Sequence, residues 1–316
     1  MLRSPLRPVG KLPTIAAAAL AAAAIGGCGL GAGTTPSGVQ LLVTRGFGAQ
    51  TVTSASQPKI VGADTVMRML ERNATVTTLY GGGFVQSIDG LSGGSASGEP
   101  TAWFYYVNGL QAGKGAAATK LHSGDHVWWD LHDWAASESI PAVVGSFPEP
   151  FLDGYGGERY PSRVECTQTQ SAACSEVGKE LAKFNIPAAL GCLECSEYNQ
   201  SLRVLVGPYA TLTPDPAAAS LQDGPATSGV YARFIDGGRK LELLNANGAV
   251  KQTLGPGTGL VAATRWHGQP PVWFVTGTDA AGVAAAEQAF TPGTLDGNFA
   301  VAVVNDTAEP LPLAGR

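Results

Sequence analysis

Between Glu99 and Trp134 the chain places four of its six tryptophans (Trp103, Trp128, Trp129, Trp134) beside Phe104, Tyr105 and Tyr106. His122, Asp125, His126, Asp130, His132 and Asp133 are interleaved with them. Flat rings bordered by donors and acceptors can hold a flat, amide-fringed organic ligand. Along 126–134 the residues alternate. Val127, Trp129 and Leu131 point one way and read as core; His126, Trp128, Asp130, His132 and Trp134 point the other. That second face mixes rings with hydrogen-bonding groups, which leaves two readings: an edge strand packing one tryptophan on a neighbour, or a ligand-facing wall. The wall would consist of Tyr105 or Tyr106, Asn108, Trp128, Asp130, His132 and Trp134; alternation alone does not say which tyrosine faces outward. A metal is not expected. His126 and His132 stand six residues apart on one strand, roughly 20 Å, and cannot converge on one ion.

The other reactive residues are Cys166, Cys174, Cys192 and Cys195, spaced C-x7-C-x17-C-x2-C. No histidine lies nearby, and the spacing fits two disulfides better than zinc. Three connectivities are open; pairing each of Cys166 and Cys174 with one of Cys192 and Cys195 would staple the intervening helix onto the next strand. The Cys192–Cys195 segment lacks the setting of a redox motif. Asp153–Tyr160 is glycine-rich without phosphate-loop spacing, and His267, the only histidine after 132, has no serine or thiol in a nucleophile-elbow context. The sequence therefore predicts a non-enzyme with no cofactor.

Position in the cell is written at the start of the chain. Arg3, Arg7 and Lys11 precede an alanine-rich run, Ile15–Ile25, too short to span a bilayer. Ile25-Gly26-Gly27-Cys28 resembles a lipobox, so residues 1–28 read as a lipoprotein signal with Cys28 the acylated residue, and 29–38 as a tether. The expected location is the outer face of a bacterial cell membrane, held by lipid. Removal of residues 1–27 leaves 17 Lys and Arg against 25 Asp and Glu, a net charge of −8. That excess argues against a nucleic-acid partner, since no basic stripe is available to replace counterions. An envelope protein or transporter remains a compatible partner.

The elements that must position these residues follow in order. Val39–Thr44 and Gln50–Ser54 read as paired strands. Asp64 is the expected N-cap of a short helix carrying Val66, Met69 and Leu70 on one face. Val76–Tyr80 and Phe84–Ile88 read as strands around Gly81-Gly82-Gly83. Tyr80-Gly-Gly-Gly-Phe-Val-Gln-Ser-Ile88, then Trp103-Phe-Tyr-Tyr-Val-Asn-Gly109, then Leu121-x-x-Gly-Asp-x-Val-Trp-Trp129 resemble the transcobalamin-like C-terminal domain over roughly residues 39–135. The resemblance implies a β-grasp-type fold and makes a corrinoid such as cobalamin the first candidate ligand. The helical barrel that supplies the other half of the site in vertebrate carriers has no counterpart here.

Residues 136–150 read as a Pro-punctuated extended linker, docked by Phe147 and Phe151. Residues 151–316 read as α/β: a helix at Ser175–Phe184, a strand at Ile186–Leu190, and a hairpin at Lys240–Leu254. Two strand–helix–strand units, Arg203–Phe234 and Pro271–Val303, are consistent with an internal duplication. The fold class is thus α+β, a β-grasp-like N-terminal domain followed by an α/β C-terminal domain. The function expected is a lipid-anchored extracytoplasmic binding protein using the aromatic-polar face. The alternative is an envelope interaction or scaffold module using that face for a protein or glycan.

Overall fold

In the computed structural model, which describes residues 33–95, 98–166, 172–193 and 200–315, the first lobe is built around a buried pair of parallel strands. Its elements are β1 (Gln40–Arg45), β2 (Gln50–Ala55), α1 (Val66–Asn73), β3 (Val76–Leu79), β4 (Phe84–Ile88), β5 (Leu91–Ser92), β6 (Thr101–Val107), β7 (Leu110–Gln111) and β8 (His126–Asp133). The main sheet has the order β2-β1-β8-β6-β7; β1 and β8 are parallel and the other neighbours antiparallel. A separate sheet, β3-β4-β5, lies beside it. Period-2 alternation sends Leu41, Val43, Val127 and Trp129 to one face, where Val66, Met67, Met69 and Leu70 of α1 cover them. Helix α1 starts one residue later than the sequence suggests. Thr65 is its N-cap, accepting from Arg68 N at 3.3 Å, whereas Asp64 is buried and paired with Arg72 in the last turn.

The second lobe contains β9 (Ser162–Cys166), α2 (Ala172–Ala182), β10 (Ala188–Cys192), β11 (Leu202–Pro208), the short helices α3 (Tyr209–Leu212), α4 (Pro216–Ala219) and α5 (Pro225–Ser228), then β12 (Ala232–Ile235), β13 (Lys240–Leu244) and β14 (Val250–Leu254). It closes with β15 (Gly259–Thr264), β16 (Val272–Gly277), α6 (Ala280–Ala289), α7 (Pro292–Leu295), β17 (Ala300–Val304) and β18 (Thr307–Leu311). A seven-stranded sheet runs β10-β9-β11-β16-β15-β17-β18, parallel from β10 to β16 and antiparallel beyond. The continuous apolar runs of β15 and β16 are buried throughout, as strands covered on both faces should be. Asp279 caps α6 through Gly282 N at 2.9 Å. The hairpin β13–β14 forms where its Asn-Ala-Asn-Gly turn places it. The two similar units end differently: β12 pairs with β13 in a three-stranded sheet, while β17 joins the large one. The chain is thus mixed α+β and rich in strands.

Cysteine pairing differs from expectation. Cys166 bonds to Cys174, not to Cys192 or Cys195. Cys166 ends β9 and Cys174 lies near the start of α2, so their Cα atoms fall 6.2 Å apart and the turn back into the helix is stapled locally. Cys192 is also disulfide-bonded; Cys195, like Cys28, lies outside the described residues. Reduction is expected to remove about 2–3 kcal/mol through the Cys166–Cys174 loop alone, read as a lower urea midpoint in dithiothreitol. An unchanged midpoint would contradict it.

The connection between the sheets is not extended. Residues 144–154 fold into successive turns, with Phe147 N donating to Val144 O, Glu149 N to Ser146 O and Phe151 N to Pro148 O at 2.8–3.0 Å. The Phe147–Pro148 and Glu149–Pro150 bonds are cis. Phe147 and Phe151 are buried against Trp273 as the flanking rings suggested, and Phe147 also meets Phe290. All described residues belong to one compact unit. No described helix is long and apolar enough to cross a membrane.

Candidate functional site

The aromatic-polar face of β8 meets the second lobe. Trp128 is fully buried, with its ring 5.0 Å from Phe299 and 5.9 Å from Tyr106. One cluster joins Phe47, Tyr106 and Trp128 to Leu205, Tyr231, Phe274 and Phe299. Close backbone approach makes this seam tight. A side chain on Gly145 would meet the Asn298 backbone at 2.6 Å and Trp128 at 2.8 Å; one on Gly48 would meet Gly297 O at less still. The register β6–β8 pairs Tyr106 with Trp128 and Tyr105 with Trp129, so Tyr106 faces the seam. Tyr105 faces the α1 core, its hydroxyl donating to Lys114 O at 2.5 Å. Asn108 is buried at a positive φ of 53°. Its Nδ2 donates to Gly154 O at 2.7 Å and its Oδ1 accepts from His126 N at 2.7 Å, tying the β6–β7 turn across to the connection. Trp134 alone of the expected wall reaches the surface, at 36% exposure.

Asp130 organises the seam. Phe47 N and Gly48 N donate to its Oδ1 and Oδ2, each at 3.0 Å. Thr44 Oγ1 donates to Oδ2 at 2.5 Å and accepts from Trp128 Nε1 at 2.7 Å. His132 Nδ1 lies 2.9 Å from Oδ1. The β1–β2 turn can present two N–H groups to one carboxylate because Gly46, Phe47 and Gly48 all take positive φ. The His132 ring is stacked between Phe47, at 4.7 Å, and Phe104, at 4.4 Å. With Nδ1 committed to the carboxylate, Nε2 is the ring's remaining hydrogen-bonding atom. Burial pushes the Tyr106 hydroxyl well above its ordinary range, with the charge of Asp130 adding to the effect.

Where the seam opens, a cleft of about 860 Å³ lies between the lobes. Phe47, His132 and Asp133 line it from the first lobe; Asn247, Glu309 and Leu313 line it from the second. Its walls mix apolar and polar groups and include no lysine or arginine. Such volume suits a small organic ligand. Of the expected residues, the fold brings His132 to this cleft and sends Trp134 to a separate open groove beside Phe84, Pro100 and Phe104. Phe47, Asn247 and Glu309 carried no sequence signal, because they belong to turns and a strand far away in the chain.

Among the described residues, no group of three or more His, Cys, Asp and Glu side chains is placed to hold a metal ion. Residues 63–133 match the family model of a domain of unknown function, DUF4430, which is of transcobalamin-like type. The match runs from just before α1 to the end of β8, leaving β1, β2 and the whole second lobe outside it. No curated protein matches the chain. Among solved structures, a Ruminococcus gnavus protein provisionally described as metal-binding is 17% identical, over 32% of this chain and 98% of its own, with a TM-score of 0.25.

Proposed function

We propose that the chain is an extracytoplasmic binding protein, lipid-anchored at Cys28, that holds an amphipathic small molecule in the cleft between its lobes. The observation that carries this reading is the Asp130-oriented, ring-sandwiched His132 on the wall of that cleft. An imidazole fixed by a buried carboxylate can offer a directional hydrogen bond beside apolar walls. The strand order β2-β1-β8-β6-β7 around a parallel central pair supports the β-grasp reading of the first lobe. A corrinoid would need the faces of Trp128 and Tyr106, which Phe299 and its neighbours cover. The geometry therefore favours a ligand smaller than cobalamin.

The scaffold reading rests on a different observation. Leu79, Phe84 and Trp134 are exposed around the open groove, and Tyr80, next to Leu79 in the chain, is 88% exposed. Such a patch fits a protein or glycan partner of the envelope, or a transporter. Titration of the mature chain with N-phenyl-1-naphthylamine separates the two readings; the probe is uncharged, so the carboxylates of Asp133 and Glu309 do not repel it. Saturable 1:1 binding that Asn247→Trp weakens at least about tenfold, and Phe84→Ser does not, supports the cleft. The reverse pattern supports the patch. Cobalamin is titrated in parallel by calorimetry, and a saturable heat would return the corrinoid to the site.

A further inference from the structure

Residues 33–38, expected as part of a tether, lie along the first lobe. Gly62 N donates to Thr35 Oγ1 at 3.0 Å and Ser37 N to Ser123 Oγ at 3.1 Å. Gly124 N donates to Ser37 O, and Gln40 N to Asp125 O, each at 2.9 Å. At Gly33 the backbone runs so close that a Cβ there would meet the Cβ of Ala63 at 2.7 Å. The segment therefore enters β1 as part of the fold, and traced backwards it leads to a fixed place, the loop 59–63.

That loop is itself held. Lys59 N donates to Asn73 Oδ1 at 2.8 Å, and Asn73 Nδ2 returns a bond to Lys59 O at 3.1 Å. Val61 N donates to Asp64 Oδ2 at 3.4 Å. Leu121 N donates to Asp64 O at 3.1 Å, which joins the end of the loop to the segment that leads into β8. Between these ties Val61 is left 59% exposed, an apolar side chain presented to the outside by a built loop. Lys59, two residues before it, is exposed as well.

Five peptide steps separate Gly33 from Cys28, a reach of at most about 18 Å when fully extended. A lipid on Cys28 therefore holds the bilayer surface within that distance of Gly33 and of the loop beside it. His132 stands six residues beyond His126 along β8, roughly 20 Å from the end where the tether docks. We propose that the loop 59–63 is the membrane-facing point of the protein. Val61 enters the interfacial layer of the bilayer, Lys59 meets lipid phosphate, and the cleft beside His132 stays outside the lipid. A ligand of that cleft then arrives from the aqueous side. The orientation rests on the acylation of Cys28 proposed above. With more acidic than basic residues, the chain has little attraction of its own to lipid phosphate, so the short docked tether selects the face.

Tryptophan quenching by brominated lipid tests the proposal. The acylated full chain is reconstituted into phosphatidylcholine vesicles, plain or brominated along the acyl chains, and bromine quenches only tryptophans close to it. The readout is the emission that each variant adds to that of the native protein. Val61→Trp is expected to lose most of its added emission in brominated vesicles. Thr34→Trp, at an exposed position of the docked tether, is a second probe of the same face and should be quenched too. Val250→Trp, at a 41% exposed position of the β13–β14 hairpin in the second lobe, should keep its emission. Equal emission of Val61→Trp and Thr34→Trp in plain and brominated vesicles, with the protein floating with the lipid, would overturn the orientation alone. Stronger quenching of Val250→Trp than of Val61→Trp would do the same. A Cys28 without acyl mass, or chains that fail to float, would overturn the anchor and the orientation together.

Discussion

Asp130→Ala is expected to destabilise the protein by about 3–5 kcal/mol, the range for stripping the partner from a fully buried, charge-assisted network. Four groups lose their acceptor at once: Phe47 N, Gly48 N, Thr44 Oγ1 and His132 Nδ1. Thr44, buried with the carboxylate beneath the seam, has no water to turn to. The damage should cross between the lobes. Phe47 packs on Tyr231 and Phe299 of the second lobe as well as on His132, so freeing the β1–β2 turn loosens both. Asp130→Asn keeps the shape but points an amide N–H at donors, and should cost roughly 1–3 kcal/mol. Urea unfolding of the two variants checks this order. Loss of less than 1 kcal/mol in the alanine variant would mean that the network contributes little. Asp130→Asn, if folded, should also bind the naphthylamine probe more weakly, since His132 is no longer held between its two rings.

Raising the pH from 5 to 8.5 should destabilise the native chain, and Glu149→Gln should remove much of that slope. In the unfolded chain Glu149 titrates near its ordinary 4.5; in the fold it titrates at about 8. Below 4.5 both states keep the proton. Between 4.5 and 8 only the folded state keeps it, so stability falls as the pH rises, and above 8 the loss is complete. The size is on the order of a few kcal/mol. His126, displaced downward by burial, works in the opposite sense below its ordinary range near 6.5. The difference between native protein and Glu149→Gln therefore isolates the glutamate. Parallel melting curves for the two proteins, with Tm unchanged relative to one another across this range, would show that Glu149 is not held as the fold places it.

Local signals carried much of the first lobe. The alternation Val127-Trp128-Trp129-Asp130 divided core from seam correctly, since a strand has only two faces and α1 supplies the apolar cover for one. What it could not carry was the identity of the cover on the other. Phe299 and Tyr231, which close over Trp128 and Phe47, stand more than a hundred residues away and belong to a lobe with its own hydrophobic pattern. A face of tryptophan, aspartate and histidine reads the same whether it meets a ligand or a second lobe. Only the hydrogen-bond partners of Asp130, two of them backbone groups of a turn, mark it as structural.

The disulfide shows a related limit. Spacing allowed Cys166 a partner near or far, and the choice depended on how sharply the chain turns from β9 into α2. The Pro-Glu-Pro segment read as an extended spacer because prolines fix an extended backbone; the chain folds there into successive turns instead, with Asp153 N donating back to Glu149. Asp279 and the β13–β14 turn, by contrast, act within a few residues of themselves and were fully legible.

Hydroxyl-radical footprinting of the intact mature chain tests most directly whether the aromatic face is sealed by the second lobe, leaving only His132 on the cleft. Tyr80 and Trp134 should be oxidised readily, while Trp128, Tyr106 and Phe299 stay protected, with His132 modified only slowly. Oxidation of Trp128 at a rate matching Trp134 would contradict the account and reopen the wall to a ligand as large as a corrinoid.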